Sequence, residues 1–229
     1  QETKDYTFAT IDDGPGGFTE YLLYRNPNSY GYGISLSRPY DQSRLDLTHF
    51  NISRDKNYLS FVHYVREVEA TGVKVVVNNR SENQNLSDFI QKIIVTLSII
   101  EPGGSFVSTL PLLDNELIID VLYTVSKCFD RISLFKPIST VSYDKHYYLV
   151  AEKAKTNNIE WISYLNEVCS KSDLGLIRLL ENVPSEFVDW VVEYNNFMLL
   201  YNKYLVSSEG IGRMYDTYKC KAIWNLPQL

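Results

Sequence analysis

From residue 7 to about residue 153, short runs of consecutive apolar residues alternate with stretches whose apolar positions recur every three or four residues. The short runs Thr7–Ile11, Gly31–Leu36, Val73–Val77, Gly104–Thr109, Arg131–Phe135 and Tyr147–Ala151 predict strands. Leu86, Phe89, Ile90, Ile93 and Leu97 form one helical stripe, and Leu117, Val121, Leu122, Val125 and Phe129 form another. Strands separated by helices make parallel βαβ units in a doubly wound sheet, with ligands beyond the carboxyl ends of the strands. Val75-Val76-Val77, apolar at every position, reads as a central strand buried on both faces. After about residue 154 the pattern is helical only. Ser185 reads as an N-cap ahead of the stripe Phe187, Trp190, Val191, Tyr194, Met198 and Tyr201. The expected organisation is an α/β core over 1–153 and a helical extension over 154–229 packed on it.

The first strand runs into Asp12-Asp13-Gly14-Pro15-Gly16-Gly17-Phe18, and an amphipathic helix follows. Glycines at such a turn let backbone approach a ligand closely. The helix start offers unpaired N–H groups and the positive end of its dipole, which suit an anionic group. The structural alternative is a tight strand-to-helix turn that the fold needs with or without a ligand.

Composition narrows the classes. With 45% hydrophobic and 22% charged residues in 229, the chain folds around a sizeable core. No apolar run reaches the ~20 residues of a membrane span, so no membrane contact is expected. Cys128, Cys169 and Cys220 show no CxxC or CxxH spacing, which argues against a zinc site and suits a reducing, intracellular compartment. A net charge of -6 gives no general attraction to nucleic acid. Eighteen tyrosines offer stacking surfaces for bases, although core and surface filling is their commoner use.

Several ordered motifs resemble the FtsJ-like RNA ribose methyltransferases, and within them the mRNA cap 2′-O-methyltransferases of eukaryotes and viruses. They are Phe8 to Tyr21 around the glycine turn, Gly31-Tyr32-Gly33-Ile34-Ser35-Leu36, Glu101-Pro102-Gly103-Gly104-Ser105-Phe106-Val107, and Cys128 to Thr140. Lys219 to Pro227 is similar to the close of that domain. The resemblance implies a Rossmann-like methyltransferase fold, α/β with a mostly parallel doubly wound sheet, and S-adenosylmethionine (SAM) as cofactor without a metal. Cofactor contact would fall to Gly14, Pro15, Gly16, Gly17 and Phe18, and to Asp46 near the adenine. An ordinary turn aspartate is the equal alternative for Asp46.

The family's chemistry needs a lysine base, flanked by carboxylates and a second lysine, to activate a ribose hydroxyl. Here the motif-I aspartate position holds Thr10, and Asp13 replaces a small residue. Asn79 stands for the next aspartate, Thr109 for the central lysine and His146 for the closing glutamate. The first lysine would precede Gln1. An amide and a threonine hydroxyl are no bases, so no catalytic residue is expected and these positions read as degenerate. The leading expectation is a non-catalytic cap-methyltransferase-like domain, serving as scaffold, RNA- or cap-binding module or regulatory partner. Its partners would be an active capping subunit or other domains of a larger capping protein, with capped mRNA bound weakly. The rival is an active 2′-O-methyltransferase built around His146 or Lys145. An ammonium group held by acidic neighbours and pointing at the methyl-donor cleft would overturn the leading expectation.

Overall fold

The computed structural model describes residues 6–79, 86–110, 113, 116–136, 147–171, 180 and 182–207. Its centre is a seven-stranded sheet in the order β3-β2-β1-β4-β5-β7-β6. The strands are β1 (Thr7–Ile11), β2 (Tyr30–Ile34), β3 (Phe50–Ile52), β4 (Val73–Asn78), β5 (Ile100–Leu110), β6 (Phe129–Phe135) and β7 (Tyr147–Ala154). β1 to β5 are mutually parallel, and β7 inserts antiparallel between β5 and β6. The helices are α1 (Gly17–Arg25), α2 (Tyr58–Val68), α3 (Leu86–Ile99), α4 (Glu116–Cys128), α5 (Ile159–Lys171) and α6 (Ser185–Ser207). Among the described residues this is the mostly parallel, Rossmann-like methyltransferase sheet that the motifs implied.

Side-chain alternation on β1 builds two cores. Phe8 joins Leu23, Tyr40, Leu45 and Phe50 beneath α1. Ala9 and Ile11 face the larger core, to which α2, α3 and α4 contribute Phe61, Phe89, Ile93, Val121 and Val125. Burial of these side chains is the main stabilising term, at about 1.5–3 kcal/mol each. In the extension, α5 packs on α3 and α6 on α4, with Leu165, Val191 and Met198 sealed in the same core. Trp161 and Trp190 are only partly buried against it. Trp224 and Cys220 lie outside the described residues.

Two sequence expectations need adjusting. β5 starts at Ile100 rather than Gly104, because Glu101–Gly104 is absorbed into the strand with a register shift against β4. Val75 is half-buried, so the triplet is covered fully on one face only.

Candidate active site: the rim between β1 and β4

Chain order reverses between β1 and β4, so the crevice at their carboxyl ends is where the topology puts a ligand. Ile11 pairs with Asn78, and the Asn79 N–H donates to the Ile11 carbonyl at 2.9 Å. Asp12 therefore comes level with Asn79, and Asp12 and Asp13 are both buried.

The glycine turn is packed rather than open along most of its length. A methyl carbon at Gly14 would lie 2.0 Å from the Arg38 carbonyl oxygen. Gly16, at φ 120°, rests against Leu45 and Tyr40. Gly17 alone faces open space, Pro15 is exposed, and Phe18 meets the Tyr148 ring edge-on at 6.5 Å.

The donors at the start of α1 can be accounted for one by one. Glu20 N–H donates to the Gly16 carbonyl at 2.8 Å. Phe18 N–H and Thr19 N–H donate to the two Asp13 carboxylate oxygens, at 3.2 and 2.7 Å. The Thr19 hydroxyl donates to Asp13 Oδ2 at 2.8 Å and is itself paired with Thr10, which is paired with Tyr40. The Asn79 side chain completes the set around Asp13. The helix start that sequence assigned to a ligand's anion thus holds an anion of the chain itself. Asp13 neither turns to solvent nor waits for a ligand's amino group. Burial pushes its carboxyl above the ordinary carboxylate value, and the bonds from Thr19, Phe18 and Asn79 only partly oppose that.

Behind this layer is a charged cluster that the sequence reading missed. Lys92 on α3 is fully buried. Its ammonium donates to Asp12 Oδ2 at 2.7 Å, Asp88 Oδ2 at 3.0 Å and the Asn79 carbonyl at 3.2 Å. Tyr58 Oη lies 3.1 Å from Asp12 and 3.3 Å from Asp88, and desolvation pushes its hydroxyl far above the usual phenol range. Asp12 Oδ1 accepts from Leu36 N–H at 2.7 Å, which ties the end of β1 to the loop after β2. Asp12 adopts a left-handed φ of 55°, a conformation that these anchors hold in place. Below, Asn78 Nδ2 donates to Thr96 at 3.1 Å and to the Lys92 carbonyl at 3.3 Å. A signal for this seam exists: Asp88, Lys92 and Thr96 recur every four residues along a helix whose other buried positions are apolar.

The remaining predicted positions are dispersed. Thr109 is buried at the end of β5, its hydroxyl without a hydrogen-bond partner. Asp46 is exposed and accepts from Thr48 N–H and from the Thr48 hydroxyl, with His49 Nδ1 at 3.0 Å. Those bonds hold its carboxyl down at about 2. It lines a cleft along the side of α1 with Glu20, Leu23 and Tyr24. Lys136, at the end of β6, is buried with its ammonium 5.5 Å over the Tyr147 ring. His146 and Lys145 lie outside the described residues. Among the described residues no group of His, Cys, Asp and Glu is arranged to hold a metal.

This fold and rim define the class: the FtsJ-like methyltransferase family model matches residues 2–154, and the chain belongs to that family. Over about 85% of its length it is 26% identical to the cap-specific mRNA (nucleoside-2′-O-)-methyltransferases 1 of Bos taurus and Homo sapiens. It is 28% identical to that of Drosophila melanogaster over 82% of its length. The chain spans about 28% of the length of the mammalian relatives. Among solved structures it is similar to human methyltransferase-like protein 13 in complex with SAH, at TM-score 0.46 and 13% identity, covering 72% of this chain and 81% of that one. It is also similar to an rRNA-methylase described as putative from Clostridium thermocellum, at TM-score 0.47 and 16% identity, covering 66% and 88%.

For SAM, the glycine turn and the rim have the right topology, but the residues present do not fit the amino-acid end of that cofactor. The Phe18 and Thr19 amides, at the helix start that the sequence reading offered to an anionic group, are already bonded to Asp13.

Proposed function

We propose that this chain is a non-catalytic cap 2′-O-methyltransferase-like domain, acting as scaffold or regulatory partner beside an active capping subunit or other domains of a larger capping protein. The observation that carries this reading is how the rim's polar groups are spent. A general base must reach its substrate's proton with a free lone pair. Lys92 is an ammonium held by two carboxylates behind this rim. It is dry, and its three N–H donors are satisfied by Asp12, Asp88 and the Asn79 carbonyl. Asn79, where the family's aspartate belongs, gives its side chain to Asp13, and Thr109 carries no charge. Among the described residues, the groups at the rim bond to one another, which supports a reading in which none of them is positioned to accept a proton from a sugar hydroxyl.

A second reading rests on the same lysine: in an active enzyme, Lys92 would leave the cluster and serve as base. Transfer of labelled methyl from SAM to capped RNA, by wild-type protein and by Lys92→Met and His146→Ala, separates the two. The pseudoenzyme reading expects no transfer above a protein-free blank from any of them. Turnover by wild-type protein that either substitution abolishes would overturn it. With a net charge of -6, capped RNA is expected to bind weakly and to be released as salt rises. Tight binding that persists at high salt would contradict this.

A further inference from the structure

We infer that Asp13 is the specificity-determining residue of the glycine turn: its carboxylate stands in for the carboxylate of an amino-acid-bearing ligand and excludes such ligands from the start of α1. The inference concerns ligand choice and goes beyond the question of catalysis.

Of the first four N–H groups of α1, two donate to Asp13 and one to the Gly16 carbonyl. Among the described residues none accepts from Gly17 N–H, and Gly17 is also the glycine that faces open space. An incoming carboxylate would find one donor where the helix would otherwise offer three, and would meet a like charge beside it. The Asp13 side chain cannot swing aside cheaply. It is buried, and its displacement would orphan the Phe18 and Thr19 amides, the Thr19 hydroxyl and the Asn79 amide together. The Thr10–Tyr40 pair behind Thr19 fixes that hydroxyl further. A ligand with the same nucleoside but no amino-acid end makes no such demand on α1.

The test uses isothermal calorimetry and thermal shift with two probes. S-adenosylhomocysteine carries the amino-acid carboxylate, and 5′-methylthioadenosine has the same thioether nucleoside without it. Wild-type protein is expected to bind S-adenosylhomocysteine no more tightly than 5′-methylthioadenosine. Asp13→Ala removes the internal carboxylate, and Asp13→Ser removes the charge while keeping a short acceptor for the Thr19 amide. Each variant is expected to gain at least ten-fold in affinity for S-adenosylhomocysteine, with 5′-methylthioadenosine unmoved. If Asp13→Ala does not fold, Asp13→Ser carries the test. The inference is overturned if wild-type protein prefers S-adenosylhomocysteine ten-fold or more. It is equally overturned if the folded variants gain nothing. A wild-type preference without methyl transfer would sink this inference alone, whereas transfer to capped RNA would sink the functional reading.

Discussion

Lys92→Met is the perturbation that most directly measures what the buried cluster does. Methionine keeps a flexible stem of similar length in the α3 position, so the chief loss is the ammonium. Without it, Asp12 retains only the Leu36 N–H and the Tyr58 hydroxyl, and Asp88 loses a partner at 3.0 Å. Lys92 and Asp12 are both almost wholly buried, so solvent screens the orphaned charge little. Breaking such a buried pair from one side costs about 3–5 kcal/mol. At about 2–4 °C per kcal/mol for a chain of this size, the melting temperature should fall by about 6–20 °C. Asp12→Asn should cost less: it keeps an acceptor for Leu36 N–H, tolerates the left-handed φ, and leaves Lys92 with Asp88. The double variant should be more stable than the sum of the singles predicts, with a coupling of about 1–3 kcal/mol. Urea denaturation followed by far-UV circular dichroism gives all three values. A Lys92→Met cost below about 1 kcal/mol, or strict additivity in the double variant, would refute the claim that the cluster is a folding element.

Other expectations follow from single sites. Gly14→Ala drives a methyl into the Arg38 carbonyl and should cost about 3 kcal/mol or more, while Gly17→Ala, in open space, should be neutral or stabilising by up to ~1 kcal/mol in the same urea titration. Asn57 caps α2 by accepting from Leu59 N–H at 2.9 Å and Ser60 N–H at 3.1 Å, so Asn57→Ala should lose about 1 kcal/mol. The Asp46 carboxyl should titrate near 2 by carbonyl NMR rather than at the ordinary 3.8. Because its folded value lies below the unfolded one, the associated stabilisation is present above pH 3.8 and fades as pH falls toward 2. Exposure keeps that contribution small. Asn79→Asp places a second carboxylate against Asp13; it should lower the melting temperature at pH 8 and do so less in an Asp13→Ala background, and equal losses in both backgrounds would refute the contact.

The sheet was largely legible because its strands are apolar runs separated by amphipathic helices. Thr7–Ile11 falls where the pattern put it. β3 was not, because Phe50–Ile52 is too short to show alternation. The antiparallel insertion of β7 left no mark, since periodicity carries no strand direction. At the rim, sequence located the turn and recognised Asp13 as an intruder, but not where its side chain goes. Only the fold brings Phe18, Thr19 and Asn79 around it. Lys92 escaped for a different reason. A lysine in a helix is ordinarily taken as solvated, and its partner Asp12 lies 80 positions earlier in the chain, joined to it only when β1 and β4 pair.

The replacements at the rim make sense together rather than one at a time. An acidic residue at 79 would repel the buried Asp13 carboxylate, whereas the asparagine there supports it. Asp13 in turn satisfies the α1 amides that a ligand would otherwise be needed to satisfy. Asp12, one residue earlier, is neutralised by Lys92 from the helix behind, whose ammonium it shares with Asp88. Among the described residues, Asp12, Asp13 and Lys92 all have partners within the chain, so these charged groups of the rim are satisfied without a ligand. A methyltransferase has the opposite need, because groups that act on a substrate must be held unsatisfied until it arrives. Under the function proposed here, the crevice serves as a joint between β1, β4, α1, α2 and α3 rather than as a site that a ligand completes.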